Sequence, residues 1–542
     1  MNDLTIEPKK KRLFSFIELG IILSLACVPL FVTFPYRVNI FLSWEGAYRM
    51  SQGQVPYKDF GMPLGYMYWV IPAMFFKIFG TQMITLVKAQ VFINILSGLA
   101  FRSILKNLEV QNGVRLLSVL LYCVSFSFFN FWPWYNHSVI VYEMMGLALL
   151  FTYISKPESR FRWIWLSLSA LLIFCSFFTK QDGGGLAFVL CIALLIYYSI
   201  AERKWMPLSV FLLSFLLVGI AIIAPLTQYN FGYWFNYGQP PHTARISAFE
   251  IIDEFLFSSQ WIKFYLLIIV MLVYVHYQSR KQFVTEKRTT LFLLLTLGIL
   301  AEAAILQVTS YTPPDNNIFF HSFAFAFILY MLSKHLKINF SRTKNLLITS
   351  SLIILWWSGV FWKYIQRTAS GFFPETTTTS ATGENVVNRK TYVLHPTPAT
   401  DMEPWTYSTL PSLKKISMPR STTEGIERLM GLPFVGQPNL RVLNMTELTS
   451  LAVEIPYQPE TGPDIPLWHH LGVGMFNQQA KAYENKIVSK QYDLVLFEHV
   501  PSLNNFFPFR LRNHLQNHYN KIDSFPAPRR GDTQGIIEVY VK

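Results

Sequence analysis

Apolar residues in this chain come neither in alternation nor as a helical stripe. They come in runs. Between residues 13 and 365 these runs are long, and short polar segments separate them. A bilayer core asks for roughly 20 apolar residues per helix, which predicts about eleven spans. They fall at 13–34, 82–104, 114–131, 139–155, 163–179, 184–200, 206–225, 261–277, 289–308, 317–333 and 345–365. One further apolar run, 63–80, contains Pro72 and Lys77 and is expected to lie at the interface or half inserted. The first run follows Lys9, Lys10, Lys11 and Arg12. It is longer than a signal-peptide core and lacks an A-x-A-like cleavage site, so it reads as an uncleaved span.

After residue 365 the pattern changes. A Thr- and Gly-rich stretch, GFFPETTTTSATGEN, marks a linker at 366–390. Residues 391–542 then carry strand-like runs at 391–394, 441–445, 493–497 and 536–541, with a helical stretch at 510–522. The expected fold is a polytopic α-helical membrane domain over 1–365, with outer-face juxtamembrane helices at about 40–80 and a C-terminal α/β domain. The latter shows no Gly-rich phosphate loop and no catalytic triad, and no repeat of the inverted-transporter kind stands out.

Composition supports this reading. Of 542 residues, 52% are hydrophobic and 14% charged, more apolar surface than a soluble protein of this size can hide. The net charge of +14 does not form a nucleic-acid patch, because the basic residues punctuate the apolar runs. With the N-terminus inside, Arg102, Lys106 and Arg115 share a cytoplasmic loop, and each later inner loop is basic too. An odd number of spans then places the C-terminal domain outside the cytoplasmic (inner) membrane. The four cysteines all lie in apolar runs, which argues against a disulfide framework or a thiolate metal site.

The polar residues of the outer loops supply the candidate chemistry, since ionisable groups at membrane depth mark sites. Glu45 can act as a base on a hydroxyl or help to hold a divalent cation; a solvated loop acid is the plainer account. Lys180 precedes Gln181, Asp182 and three glycines, so an ammonium and backbone N–H groups can meet a phosphate there. A snorkelling lysine before a turn explains the same residues. His137 and His321 can bond phosphate or sugar, although a lone histidine is more often structural. Trp132, Trp134, Tyr233 and Trp234 fit an interface belt better than a sugar platform. Asp315-Asn316-Asn317 reads best as a turn, and Asn236, Gln239 and His242 lie in the fourth outer loop. Glu143 and Glu302 are mid-span acids without an evident partner, which speaks against a transport pathway.

These segments together resemble the GT-C fold glycosyltransferases, a group that includes aminoarabinose transferases and protein O-mannosyltransferases. SWEGAYRMSQGQVPYKDFGMPLGYMYWVIPAMFFKIFG (43–80) is similar to the family's first outer loop, and FFTKQDGGG (177–185) to its lysine-bearing segment. WYNHSVIVYEMMG (134–146) and PPDNNIFFHSFAFAFILY (313–330) match later segments in order. Two positions depart from the pattern: Trp44 stands where relatives carry Asp, and Asn136 where they carry a second acid.

The resemblance implies transfer of a sugar from a polyprenyl-phosphate donor to a glycan, lipid or protein acceptor, with inversion. It implies Glu45 as base, alone or with Asp59 sharing the role. Lys180, Arg49, Lys58 and His321 would hold the donor phosphate, with Tyr57, Asn136, His137, Gln181 and Asp182 lining the substrate. No cofactor is required by the sequence; a divalent cation, Mg or Mn, is left open. The alternatives are a transporter or flippase for lipid-linked sugars, or a non-catalytic binder of them.

Overall fold

The computed structural model describes residues 8–32, 34–36, 40–125, 128, 130–235, 247–279, 281–309, 319–359, 361–362, 365, 403–470, 473–501, 508–529 and 534–542. The expected strand at 391–394, the linker, Asn236, Gln239, His242 and Asp315-Asn316-Asn317 lie outside the described residues. Fifteen α-helices precede the linker among the described residues: α1 Pro8–Cys27, α2 Ile40–Ser51, α3 Met67–Phe79, α4 Met83–Asn107, α5 Asn112–Ser125, α6 Tyr135–Ser155, α7 Arg162–Phe177, α8 Gln181–Glu202, α9 Met206–Ile223, α10 Ala248–Asp253, α11 Gln260–His276, α12 Gln282–Thr285, α13 Lys287–Thr309, α14 Phe319–His335 and α15 Thr343–Trp356.

The class is as expected, a multi-pass helical membrane protein with a small C-terminal sheet domain, but the count of spans is corrected. Among the described residues, six helices are long and apolar enough to cross a membrane: α1 with its following turn, α4, α6, α8, α9 and α13. A seventh span arises if Ala248–Phe257 and Gln260–His276, bent by 80°, count as one. The expected spans at 114–131, 163–179, 317–333 and 345–365 fall on α5, α7, α14 and α15, helices of 14, 16, 17 and 14 residues. At 1.5 Å per residue these reach roughly 21–26 Å, short of a core about 30 Å thick. For α7 the reason is visible: Phe178, counted in the expected span, lies in the turn after the helix and packs inward. The interfacial run at 63–80 forms α3, 13 residues around Pro72.

The bundle buries one long apolar core that runs from α1 to α15. Close approaches use small residues: Ser169 Oγ donates to the Gly146 carbonyl at 2.7 Å, joining α7 to α6. Large apolar side chains on α9 (Leu213, Leu216, Leu217) and α11 (Leu267, Val270, Met271) face outward, a surface suited to lipid. Glu18 of α1 is buried and paired with Arg102 at 2.6 Å and Arg115 at 2.8 Å, so two arginines counted as loop charges are bound to a helix inside the bundle.

The C-terminal part forms two sheets. The strands are β1 Phe34–Pro35, β2 Trp405–Tyr407, β3 Ile416–Pro419, β4 Val442–Met445, β5 Leu494–His499, β6 Asn520–Pro526 and β7 Ile536–Val541. One sheet has the order β1-β3-β2, the other β4-β5-β7-β6. β1 follows directly on the first span, and its parallel pairing with β3 ties the membrane part to the C-terminal part. The helix expected at 510–522 ends at His518; residues from Asn520 enter β6, where pairing with β7 outweighs local helical pattern.

Arg529 anchors this domain. Its side chain is 3% exposed, donates to Glu447 Oε1 at 2.9 Å and pairs with Glu498, while Glu447 N–H donates to Glu498 Oε2 at 2.8 Å. Removing the cation takes away the buried positive charge that both carboxylates face. Arg529→Met should therefore destabilise the C-terminal domain by about 3–5 kcal/mol. Thermal unfolding followed by circular dichroism checks this, and an unchanged midpoint would refute it.

Candidate active site

α2 lies just after β1, and its period sets Glu45 and Arg49 one turn apart on one face. Arg49 Nε donates to Glu45 Oε1 at 2.8 Å. The same guanidinium donates through Nη1 to Gln54 Oε1 at 3.0 Å and to the Glu460 carbonyl at 2.8 Å. Arg49 is thus engaged with protein groups rather than turned toward a phosphate. Burial pushes the Glu45 carboxyl above the usual carboxylate range, and Arg49 opposes that shift.

The neighbours of Glu45 are fixed by packing. Trp44 is fully buried, stacks on Tyr48 at 4.7 Å and donates from Nε1 to the Thr81 carbonyl at 2.9 Å. An aspartate here would have no such role in the core. Gly46 is required by close approach: a Cβ there would lie 2.0 Å from the Trp69 ring. Trp69 itself donates to the Leu42 carbonyl at 2.8 Å, so α3 is pressed against α2.

A cavity of about 60 Å³ covers this face of α2. Trp44, Glu45 and Arg49 form one wall; Thr449, His469 and Tyr483 belong to the other, contributed by the C-terminal part. A water needs some 10–15 Å³ on this measure, so the space takes a few waters or one polar end of a larger molecule. Thr449 Oγ1 and His469 Nδ1 are buried without hydrogen-bond partners. His469 Nε2 lies 3.3 Å from the Phe476 carbonyl, which assigns the proton to Nε2 and leaves Nδ1 as an acceptor. Burial lowers the His469 imidazole to about 4, so it is neutral near pH 7. Sequence reading missed Thr449 and His469. No local motif marks them, because only the docking of the C-terminal part brings them beside Glu45.

Lys180 belongs to a second cluster. It caps the start of α8, 3.2 Å from Asp182 and over the Tyr135 ring at 5.8 Å. Burial lowers the Lys180 ammonium, and Asp182 opposes this. Asp182 Oδ1 also accepts from Gly183 N–H at 2.8 Å, the position an anion would take at a helix start. The glycines answer to packing as well: a Cβ on Gly184 would lie 2.1 Å from the Phe177 backbone, and one on Gly183 2.5 Å from Val139. Gln181 donates to the Trp234 carbonyl at 2.9 Å. At the neighbouring start of α6, Asn136 Oδ1 is buried without a partner, and His137 meets Asn130. Lys180 is not among the residues lining the Glu45 cavity. α3 separates and joins the two clusters: Trp69 packs on α2, and the Tyr68 ring meets Tyr135 at 6.0 Å.

The other expected residues lie elsewhere. Asp59 Oδ2 accepts from Val55 N–H at 2.7 Å and so closes its own turn. Tyr57 is buried with φ 67° and donates to the Leu64 carbonyl at 2.6 Å. Lys58 is exposed over Tyr229 at 5.9 Å. His321 is packed against Trp261 and Trp357 and bonded to Tyr265 at 2.9 Å. Among the described residues no group of three or more His, Cys, Asp or Glu side chains is placed to hold a metal.

No family model and no curated protein matches the sequence. The fold does have a counterpart. ArnT from Cupriavidus metallidurans, solved in the apo state, aligns with a TM-score of 0.51 at 9% identity over 97% of each chain. ArnT is an aminoarabinose transferase of the GT-C fold, and this chain has that fold. The oligosaccharyltransferase of Archaeoglobus fulgidus, complexed with Zn and sulfate, aligns at a TM-score of 0.38 and 10% identity over 88% of this chain and 68% of its own; at that score it carries no argument.

The tight contact at Gly46 makes a direct prediction. Gly46→Ala should cost about 1–3 kcal/mol, because Trp69 must move from α2. A combined Gly46→Ala, Trp69→Phe protein should recover part of the loss in a thermal melt. Equal melting of Gly46→Ala and wild type would show that the ring yields freely.

Proposed function

We propose that this chain is a membrane glycosyltransferase that moves a sugar from a polyprenyl-phosphate donor to an acceptor hydroxyl at the outer face of the cytoplasmic membrane. The observation that carries this reading is a part-buried carboxylate, Glu45, beside the first span and facing a cavity of mixed polar and apolar lining, in a chain that shares the fold of ArnT over 97% of its length. Glu45 acts as the base. The acceptor O–H gives its proton to the carboxylate, its oxygen bonds to the anomeric carbon, and the carbon–oxygen bond to phosphate breaks with its electron pair left on the phosphate. Attack opposite the leaving phosphate inverts the centre.

Arg49 is a positioning residue in this scheme, since its bonds to Glu45, Gln54 and the Glu460 carbonyl fix the carboxylate. Thr449 and His469 Nδ1, both unpartnered, hold a neutral hydrogen-bonding group of the acceptor. Lys180 offers the donor phosphate an ammonium already poised against Asp182, which the phosphate would displace.

The test is release of labelled sugar from polyprenyl-phosphate carriers by the purified full chain in membranes. A protein that consumes none of a panel of such donors would overturn the reading. Glu45→Gln should lose transfer on the order of 10²–10⁴-fold; wild-type turnover would remove Glu45 from the mechanism. The pH dependence has a definite sign. A base must be ionised, and burial raises the Glu45 carboxyl, so activity falls as pH drops through a value above the ordinary carboxylate range. Arg49→Met removes the opposing cation and should move that acid limb to still higher pH. A limb that stays in place would deny Arg49 this role.

A further inference from the structure

The turn that joins α6 to α7 and the turn that joins α8 to α9 meet at one end of the bundle. Arg162, the first residue of α7, links them: its Nη2 donates to the Tyr198 hydroxyl of α8 at 2.8 Å. The guanidinium lies over the Tyr153 ring of α6 at 4.3 Å and over Trp163 at 5.8 Å, and the Tyr153 and Tyr198 rings meet at 6.2 Å. Aromatic faces thus hold the cation in place. What it lacks is an anion. Among the described residues no acid pairs with Arg162, and its Nε is buried without a hydrogen-bond partner.

Its surroundings share that imbalance. Lys156 and Arg160 in the first turn, and Arg203 and Lys204 in the second, are exposed, and no ion pair engages them among the described residues. Lys156 and Arg160 rest on the Trp165 and Phe161 rings at 5.2 and 4.5 Å. The acids of these turns are Glu158 and Glu202, and Glu202 is taken by Lys287 at 2.5 Å. Around the cations, Phe161, Trp163, Ile164, Trp205 and Met206 are exposed.

We propose that this end of the bundle binds the phosphate headgroup of an anionic membrane phospholipid, with Arg162 as the fixed contact and the four exposed cations around it. A phosphate oxygen supplies the charged acceptor that the guanidinium lacks, and a guanidinium fork suits phosphate geometry. The exposed rings and aliphatic side chains favour a lipid over a soluble anion, because a free phosphate has no use for them. Acyl chains would lie along α9, whose Leu213, Leu216 and Leu217 face outward from the same end. None of these residues lines the Glu45 cavity. Arg162 opens α7 and Lys180 follows its end, so a helix of roughly 24 Å separates the two cations. The site is therefore independent of the glycosyl-transfer reading.

Native mass spectrometry of the purified full chain, titrated with phosphatidylglycerol or phosphatidylcholine, tests this. The first phosphatidylglycerol should bind about tenfold more tightly than the first phosphatidylcholine. Lys156→Gln, Arg160→Gln and Arg203→Gln combined should weaken it about tenfold, with phosphatidylcholine binding unchanged. Lys337→Gln, Arg342→Gln and Lys344→Gln combined remove equal charge from the exposed turn between α14 and α15 and should leave it within about twofold of wild type. Arg162→Met should weaken it as well; should that variant fail to fold, the first triple variant decides. Equal affinity for the two lipids would overturn the proposal, as would equal losses in the two triple variants. Displacement of the lipid by equimolar inorganic phosphate would overturn it in favour of a soluble anion.

Discussion

Arg49 is 4% exposed, and a cation so placed is tolerated only when it is paired and hydrogen-bonded. Three acceptors take three of its five N–H groups: a carboxylate one helical turn away, an amide in the following loop and a backbone carbonyl more than four hundred residues on. The candidate site depends on that arrangement. It orients Glu45, closes the loop after α2 and fixes the segment at Glu460 against the membrane part. A carboxylate facing the same cavity without this cation would be harder to keep ionised.

The docking of the C-terminal part follows the same logic at larger scale. β1 pairs with β3, Tyr36 donates to the Glu447 carbonyl at 2.5 Å, and Gly61 exchanges bonds with Ile465 and Leu467. These contacts are mostly backbone hydrogen bonds, which need register rather than side-chain identity. They place Thr449 and His469 beside Glu45. The C-terminal part is therefore a wall of the cavity, and the buried Arg529 network behind Glu447 gives that wall its rigidity.

Much of the membrane architecture was legible in the chain. Apolar runs of bilayer length identify α1, α4, α6, α8, α9 and α13 because lipid leaves the backbone no alternative to a helix. The same rule overcounted where apolar residues such as Phe178 serve turns packed inside the protein, since composition does not say whether lipid or protein surrounds a side chain. Glu45 and Lys180 were legible as unusual polar residues. Their surroundings were not: Asp59 and Tyr57, neighbours of Glu45 in sequence, spend their polar atoms on local turns.

What the sequence determined alone was the solvent and the class: runs too apolar for water, a change of pattern near residue 365, and a few ionisable groups worth explaining. Tertiary structure decided which of those groups meet. Glu45 finds Thr449 and His469, and Lys180 keeps company with Asp182 and Tyr135. Hydrophobicity is summed along a chain and can be read from it. Hydrogen bonds and charge pairs act over a few ångströms in space, between residues that the sequence keeps far apart.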